Sequence, residues 1–221
     1  MTQHAGQNVS TAVMQRRVEA HDSLDDFPTP PWATRALCSK VLDTDSLSSL
    51  TCWEPACNRG HMVKPLREYF RRVYASDIHD YGYRDMEAEG DFLWGGDFPP
   101  EKPDWIITNP PFRLAAQFIE RGRRIAGVGV AVIVRSAFLE GVGRYKELFS
   151  KNPPTIIAQF TERVVMVKGR LEPKGSTATS YSWLVWVNGN SQTRFVWVPP
   201  CRKELERASD YAGPLFQGAG A

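Results

Sequence analysis

Asp104-Trp105-Ile106-Ile107-Thr108-Asn109-Pro110-Pro111-Phe112 is the stretch on which the fold of this chain turns. Its first half is apolar enough for a buried strand. The strand then meets two prolines, which lack a backbone N–H and pin φ, so neither strand nor helix continues through them. A polar amide, Asn109, and an aromatic, Phe112, are thereby held on a stiff loop at a strand end. In an open α/β sheet, ligands bind at the carboxyl ends of strands.

The loop suggests chemistry on a planar amine. The Asn109 side-chain oxygen and the Pro110 carbonyl are both acceptors, the second in a backbone fixed by proline. Together they suit the two hydrogens of an exocyclic NH2, while Phe112 suits a stack on the ring that bears it. The plain alternative is a proline-stiffened turn with a buried Phe.

Upstream, Thr51-Cys52-Trp53-Glu54 reads as a short buried strand. Pro55-Ala56-Cys57-Asn58-Arg59-Gly60 follows, in which Asn58 and Gly60 are the residue types that accept positive φ most cheaply. A strand, a tight turn and a helix over roughly 61–70 give a ligand access to backbone N–H groups, although no G-x-G-x-x-G is present. Arg72-Val73-Tyr74-Ala75-Ser76-Asp77 is a second strand ending in an acid, 23 residues after Glu54. An acid so placed suits ribose hydroxyls, or caps a turn. Gly90-Asp91-Phe92-Leu93 repeats the pairing of an acid with an aromatic.

Further upstream, Phe27-Pro28-Thr29-Pro30-Pro31 is extended, and Trp32, Ala36, Leu37 and Val41 fall on one helical face. Ser46–Leu50 reads as a linker. Residues 1–25 are polar and read as a flexible N-terminal arm, 26–208 as one domain, and 209–221 as a C-terminal tail. Downstream of the proline loop, Leu114–Ala126 has helical spacing. Val128–Val134 is a continuous apolar run, as expected of a central strand buried on both faces. A helix is expected at about 138–150, with strands at Thr155–Phe160, Tyr181–Val187 and Arg194–Val198. The pattern is a doubly wound α/β domain whose sheet is closed by a strand pair.

Composition bounds the function. The 221 residues suffice for one α/β domain; 42% are hydrophobic and 24% charged, ordinary for a globular protein. A net charge of +2 announces no polyanion partner, so any nucleic-acid surface must come from local clustering. Cys38, Cys52, Cys57 and Cys201 have neither zinc-ligand nor secreted-scaffold spacing and read as reduced thiols. With no long apolar run and no signal-peptide pattern, a cytoplasmic protein without a membrane partner is expected.

Taken in order, Phe27-Pro28-Thr29-Pro30, Glu54-Pro55-Ala56 with Gly60, Asp77, Gly90-Asp91-Phe92 and Asn109-Pro110-Pro111-Phe112 resemble the S-adenosylmethionine-dependent amino-methyltransferases. The similarity is greatest to the DNA N6-adenine methyltransferases and spans roughly residues 27–200. It implies a Rossmann-like class I methyltransferase fold, a seven-stranded mostly parallel sheet with its last strand antiparallel. It also implies S-adenosyl-L-methionine as cofactor and no metal. By position, Phe27, Thr29 and Pro30 would line the methionine end of the cofactor, and Glu54, Ala56, Asn58 and Gly60 its amino-acid portion. Asp77 would take the ribose, Ile78 the adenine face, and Asp91 with Phe92 the adenine amino group. Asn109, Pro110, Pro111 and Phe112 would form the catalytic loop. One departure is Asn58, where the family usually has glycine.

DNA is the implied partner. RNA bases and protein glutamine amides are the alternative substrates, since those classes carry similar loops, and a non-catalytic binding protein is the third reading. The residues expected to meet nucleic-acid phosphate are Arg113, Arg135, Arg144, Lys168, Arg170 and Lys174. No separate recognition region is visible, so weak or short-site specificity is expected. The oligomeric state is left between monomer and homodimer.

Overall fold

The structure, a computed structural model, describes residues 25–96 and 98–212. The expected arm at 1–25, apart from Asp25, and the tail beyond 212 lie outside the described residues. The chain opens with α1 (Pro31–Ala36), which runs into a π-helical turn (Leu37–Val41) and the short α2 (Thr44–Leu47), whose last two residues overlap the segment expected as a linker. Then come β1 (Thr51–Glu54), α3 (Val63–Leu66), β2 (Arg72–Asp77), β3 (Ala88–Glu89) and β4 (Trp105–Thr108). The remainder is α4 (Ala115–Ile125), β5 (Gly129–Arg135), α5 (Val142–Arg144), β6 (Ile156–Phe160), β7 (Tyr181–Val187), β8 (Arg194–Val198) and α6 (Arg202–Leu205).

The strands form one sheet in the order β3-β2-β1-β4-β5-β7-β6-β8. All pairings are parallel except those of β7, which runs antiparallel to both β5 and β6. The sheet has eight strands, so the expected count of seven is corrected by one. The antiparallel strand is the seventh, and β8 adds a parallel edge beyond β6. The two-residue β3 on the opposite edge is too short to show any hydrophobic period.

The sheet is buried on both faces, and side-chain alternation sorts its residues between two cores. Cys52, Trp105, Ile107, Ala131, Ile133, Trp183 and Val185 join α1 and α3 on one side. Trp53, Ile106, Val130, Val132, Val134, Leu184 and Trp186 join Phe118 and Ile119 of α4 on the other. The start of β1 is pinned to β4 by Asp104, whose carboxylate accepts the Thr51 N–H and hydroxyl at 2.8 and 2.9 Å.

Two expected helices are cut short for local reasons. Pro65 has no N–H to give, so the helix expected over 61–70 is regular only at Val63–Leu66. Its continuation tightens to three-residue bonds, Glu68 to Pro65 at 3.1 Å and Tyr69 to Leu66 at 3.0 Å. The helix expected at 138–150 is broken by Gly141 at φ 120°, leaving a 3-10 turn (Ser136–Leu139), α5 and a π-helical turn (Tyr145–Phe149).

The C-terminal segment is fastened back onto α1 by charge. Arg35 forks onto both Asp210 oxygens at 2.8 Å and onto Glu68, with the Arg35 and Asp210 side chains 4% and 5% exposed. Burial alone would push the guanidinium down, but its hydrogen bonds to Asp210 and Glu68 outweigh this and raise it. Removing one partner of a buried pair strands the other charge. Asp210→Asn is therefore expected to cost about 3 kcal/mol, because Glu68 still partly compensates Arg35. The urea midpoint should fall at unchanged slope. Glu204→Ala, at the exposed pair with Lys40, should leave the midpoint in place.

Candidate active site

The strand order reverses between β1 and β4: the chain steps outward to β2 and β3 on one side, then to β4 and β5 on the other. A crevice opens at the carboxyl ends of strands at such a switch point. Glu54 closes β1, Thr108 closes β4, and the Asn109 loop follows at once.

Glu54 is fully buried, and among the described residues neither carboxylate oxygen has a hydrogen-bond partner within the geometric limits of such a bond. The hydroxyls of Thr108 and Thr29 are likewise buried and unpartnered. Burial holds the Glu54 carboxyl well above the ordinary carboxylate range, and the neighbouring Thr108 hydroxyl draws it only partly back. Buried polar groups are nearly always satisfied, so a cluster of orphans at a switch point marks a place where a ligand supplies the missing partners. An ammonium group or several hydroxyls would suit these acceptors.

The turn after β1 takes its shape from Asn58 and Gly60, at φ 48° and 75°. Gly60 cannot be replaced without displacement, since a Cβ there would lie 2.4 Å from the Tyr83 ring. Asn58 is built in by its side chain. Its Nδ2 donates to Asp26 at 2.8 Å and its Oδ1 accepts the Arg59 N–H at 2.7 Å. Arg59 also pairs with Asp26 at 2.9 Å. The Asn58 N–H donates to Asp77 Oδ2 at 2.8 Å, and that of His79 to Oδ1 at 3.1 Å. Burial raises the Asp77 carboxyl against the pull of these N–H groups. A carboxylate has about four acceptor sites, so even with the Ile78 N–H also close, room remains for a ligand donor.

Asp25, Asp26 and Phe27 form a strap across the crevice. Asp26 holds Asn58 and Arg59 and accepts the Gly169 N–H on its backbone oxygen at 2.8 Å. The Asp25 carboxylate accepts the Phe112 N–H, and the Phe27 carbonyl accepts Asn109 Nδ2 at 2.8 Å. Asn109 Oδ1 has no donor among the described residues. The Phe112 ring has two neighbours, Phe27 at 5.5 Å and the Arg135 guanidinium 4.2 Å from its centroid.

The other expected site residues are placed as follows. Pro30 is buried at the cap of α1, and Ala56 is half-buried in the turn after β1. Ile78 is left 61% exposed just past β2. Asp91 accepts the Leu93 N–H in a tight turn. Phe92 is buried in the second core, against Trp53 at 5.1 Å and Phe118 at 4.7 Å. Pro110 is buried and Pro111 half-buried. Of the basic residues, Arg113, Arg135, Lys168, Arg170 and Lys174 are exposed. Arg144 is turned onto the Glu140 carbonyl, and Arg170 pairs with Glu172 at 3.4 Å. Sequence reasoning missed Asp25, Asp26, Arg59 and Thr108. Two acids directly before Phe27 and a cation in the turn after β1 were the available signal for the ion pair.

The four cysteines are buried and free, and burial pushes their thiols up, so none is an activated nucleophile. Among the described residues there is no metal-binding cluster, and no helix is long and apolar enough to cross a membrane.

No family model and no curated protein matches the sequence. The fold is similar to that of the EcoKI M protein, a type I restriction enzyme subunit, at TM-score 0.56 and 14% identity over 87% of this chain and 53% of that one. A structure named as the modification subunit of a type I restriction enzyme, from Vibrio vulnificus YJ016, gives TM-score 0.54 and 18% identity over 84% and 51%. The methyltransferase subunit of a type I system from Streptococcus thermophilus gives 0.53 and 14% over 84% and 49%. The chain spans about half the length of these relatives. At such identities the likeness is one of fold: a Rossmann-like methyltransferase fold.

The orphaned carboxyl makes a pH prediction. Glu54 keeps its proton in the folded protein above 4.5, where the unfolded chain has released it. The folded state then binds the extra proton, so stability falls as pH rises from 4.5 towards the raised folded value. Urea midpoints measured across that range should decline less steeply for Glu54→Gln than for the parent. Parallel slopes would show that the buried acid does not titrate there.

Proposed function

We propose that this chain is an S-adenosylmethionine-dependent methyltransferase acting on the exocyclic N6 amine of adenine in DNA. The observation that carries the reading is the Asn109 amide. Its nitrogen is engaged by the Phe27 carbonyl at 2.8 Å, which leaves the oxygen and the Pro110 carbonyl as a pair of acceptors beside the orphaned acid. Support also comes from the fold shared with restriction-modification methyltransferase subunits.

Glu54 and the turn through Ala56, Asn58 and Gly60 would hold the cofactor's amino-acid portion. Asp77 would take its ribose, Ile78 and Asp91 its adenine, and Phe27, Thr29 and Pro30 its methionine end. When bound, the cofactor supplies an electrophilic methyl group on a sulfonium. Asn109 Oδ1 and the Pro110 carbonyl then accept both amine hydrogens, which turns the nitrogen lone pair out of the ring and towards the methyl. The same two acceptors stabilise the positive charge that develops on nitrogen. Much of the rate comes from holding the two reactants in line. The surplus proton leaves the new secondary amine to water.

Phe112 would stack on the target base, displacing Arg135 from its ring. An exposed cation–π contact is worth about 0.5–1 kcal/mol, whereas a base stacked on an aromatic returns about 1–3 kcal/mol. The exchange therefore favours the base. Within a duplex the base must first be flipped out, at a cost of a few kcal/mol.

Transfer of labelled methyl from S-adenosylmethionine to DNA, RNA and protein tests the substrate class. Asn109→Ala should lose transfer to DNA by about a thousandfold, as for removal of a transition-state hydrogen-bonding group, while binding the cofactor as before. Undiminished transfer by this variant would remove the mechanism. Transfer to RNA or to protein alone would move the activity to a neighbouring class.

A further inference from the structure

Two large aromatic side chains stand in water on the outermost strand, Phe195 at 53% and Trp197 at 65% exposed. Alternation along β8 puts both on one face and turns Val196 and Val198 towards the first core. Their rings meet edge-on at 4.7 Å. Edge strands are usually blunted by charge or cover, so an aromatic pair there calls for an occupant.

Trp197 walls an open pocket of about 370 Å³, with Thr161, Glu162, Arg163 and Ser180 among its other residues. The pocket lies where β6 ends and antiparallel β7 begins, which is the carboxyl edge that also carries Asn109 and Arg135. One Glu162 oxygen accepts the Cys201 and Arg202 N–H groups at 2.6 and 2.7 Å, which fixes this carboxylate at the pocket wall beside the Arg163 cation. Arg163 is exposed and, among the described residues, donates only to the Ser180 hydroxyl. A flat aromatic with a neighbouring guanidinium is the equipment that grips an unpaired nucleotide, ring against base and cation against phosphate.

From β4, whose end carries Asn109, to β8 is four strand spacings, roughly 19 Å. That distance is about six nucleotides at the rise of a stacked strand. Resting on the reading that the substrate is a nucleic acid, we propose that the pocket between Trp197 and Arg163 is a second nucleobase subsite. It takes an unpaired base of the strand whose target adenine lies at Asn109, a few nucleotides away. A paired base offers its edge in a groove and not its face, so the subsite selects single-stranded or locally melted DNA.

The test compares the full chain with Trp197→Ala, Trp197→Phe and Arg163→Ala, using labelled single-stranded DNA that contains one adenine. One probe is a trinucleotide, too short to reach β8; the other is about a dozen nucleotides long. Trp197→Ala should weaken binding of the longer probe about tenfold, the loss expected for one stacked base. KM should rise by the same factor at unchanged kcat, and the trinucleotide should bind as before. Trp197→Phe should restore most of the loss, and Arg163→Ala should flatten the salt dependence. Equal binding of the longer probe by parent and Trp197→Ala overturns the subsite, as does an equal loss for both probes. Self-association that Trp197→Ala abolishes, with oligonucleotide binding untouched, would make β8 an interface between copies. If the parent chain neither binds DNA nor methylates it, the functional reading itself fails, and this site with it.

Discussion

An amide can serve an amine only if its oxygen faces the ligand, and here that choice rests on the Phe27 carbonyl. A carbonyl can only accept, so the group 2.8 Å from it is the Asn109 nitrogen, and the oxygen is left for the crevice. The contact spans 82 residues and joins the segment before α1 to the loop after β4. Around it the rest of the strap follows. Asp25 steadies the Phe112 backbone, and Asp26 ties down Asn58, Arg59 and the backbone at Gly169. Three consecutive residues thus hold the turn after β1, the proline loop and the β6–β7 connection in one geometry. Preorganisation of this kind is what electrostatic catalysis requires, because acceptors that need no rearrangement lose nothing to it at the moment of reaction.

The acid at the switch point makes the opposite bargain. Glu54 is buried with the Thr108 hydroxyl and the Ala56 N–H near but no well-formed hydrogen bond among the described residues, and burial raises its carboxyl well above the usual range. A structure built for stability alone would place an apolar residue at the end of β1, as Ile107 and Ile133 do elsewhere in the sheet. Local strain or dissatisfaction of this sort persists at sites where a ligand relieves it. The same crevice also tolerates unpartnered hydroxyls at Thr29 and Thr108. The cost of these orphans is supported by the two-sided hydrophobic sheet around them, not by any bond of their own.

The central strands were legible because period-two burial on both faces leaves an unbroken apolar run, and Val128–Val134 carries that run. The ligand-accessible turn after β1 and the acid closing β2 were legible in the order of strand, turn and acid at Glu54 and Asp77, whereas the reversal of strand order that makes a switch point came only with the sheet. What local pattern hid was whatever depends on distant partners. The acids before Phe27 and Arg59 in the turn hint at an ion pair, but no local pattern pairs Asp26 with Asn58, so Asn58 stood out only as a departure from glycine. In the structure the Asn58 side chain is a structural tie. Phe92 was expected beside a ligand because an acid precedes it, yet Trp53 and Phe118 claim its ring for the core. Helix lengths failed at Pro65 and Gly141, where a missing N–H and a positive φ outweigh apolar spacing. β3 is fixed by pairing with β2 alone and leaves no trace in two residues.

The basic residues bear on specificity through what they are already doing. Arg144 is spent on the Glu140 carbonyl and Arg170 on Glu172, so a count of cations overstates the positive surface. Arg135 lies on Phe112 with no hydrogen-bond or ion-pair partner among the described residues, and Arg163, just past β6, lies two strands along the same edge from the β4 loop's neighbour, β5. In the proposed function these cations would meet phosphate, contacts that position a strand without reading it. Under the proposed reading, discrimination would have to come from faces of bases, at Phe112 and at Trp197, and from how cheaply the intervening nucleotides unstack. Such recognition is sequence-tolerant because every base has a π-face. It favours melted or single-stranded DNA over a long fixed site.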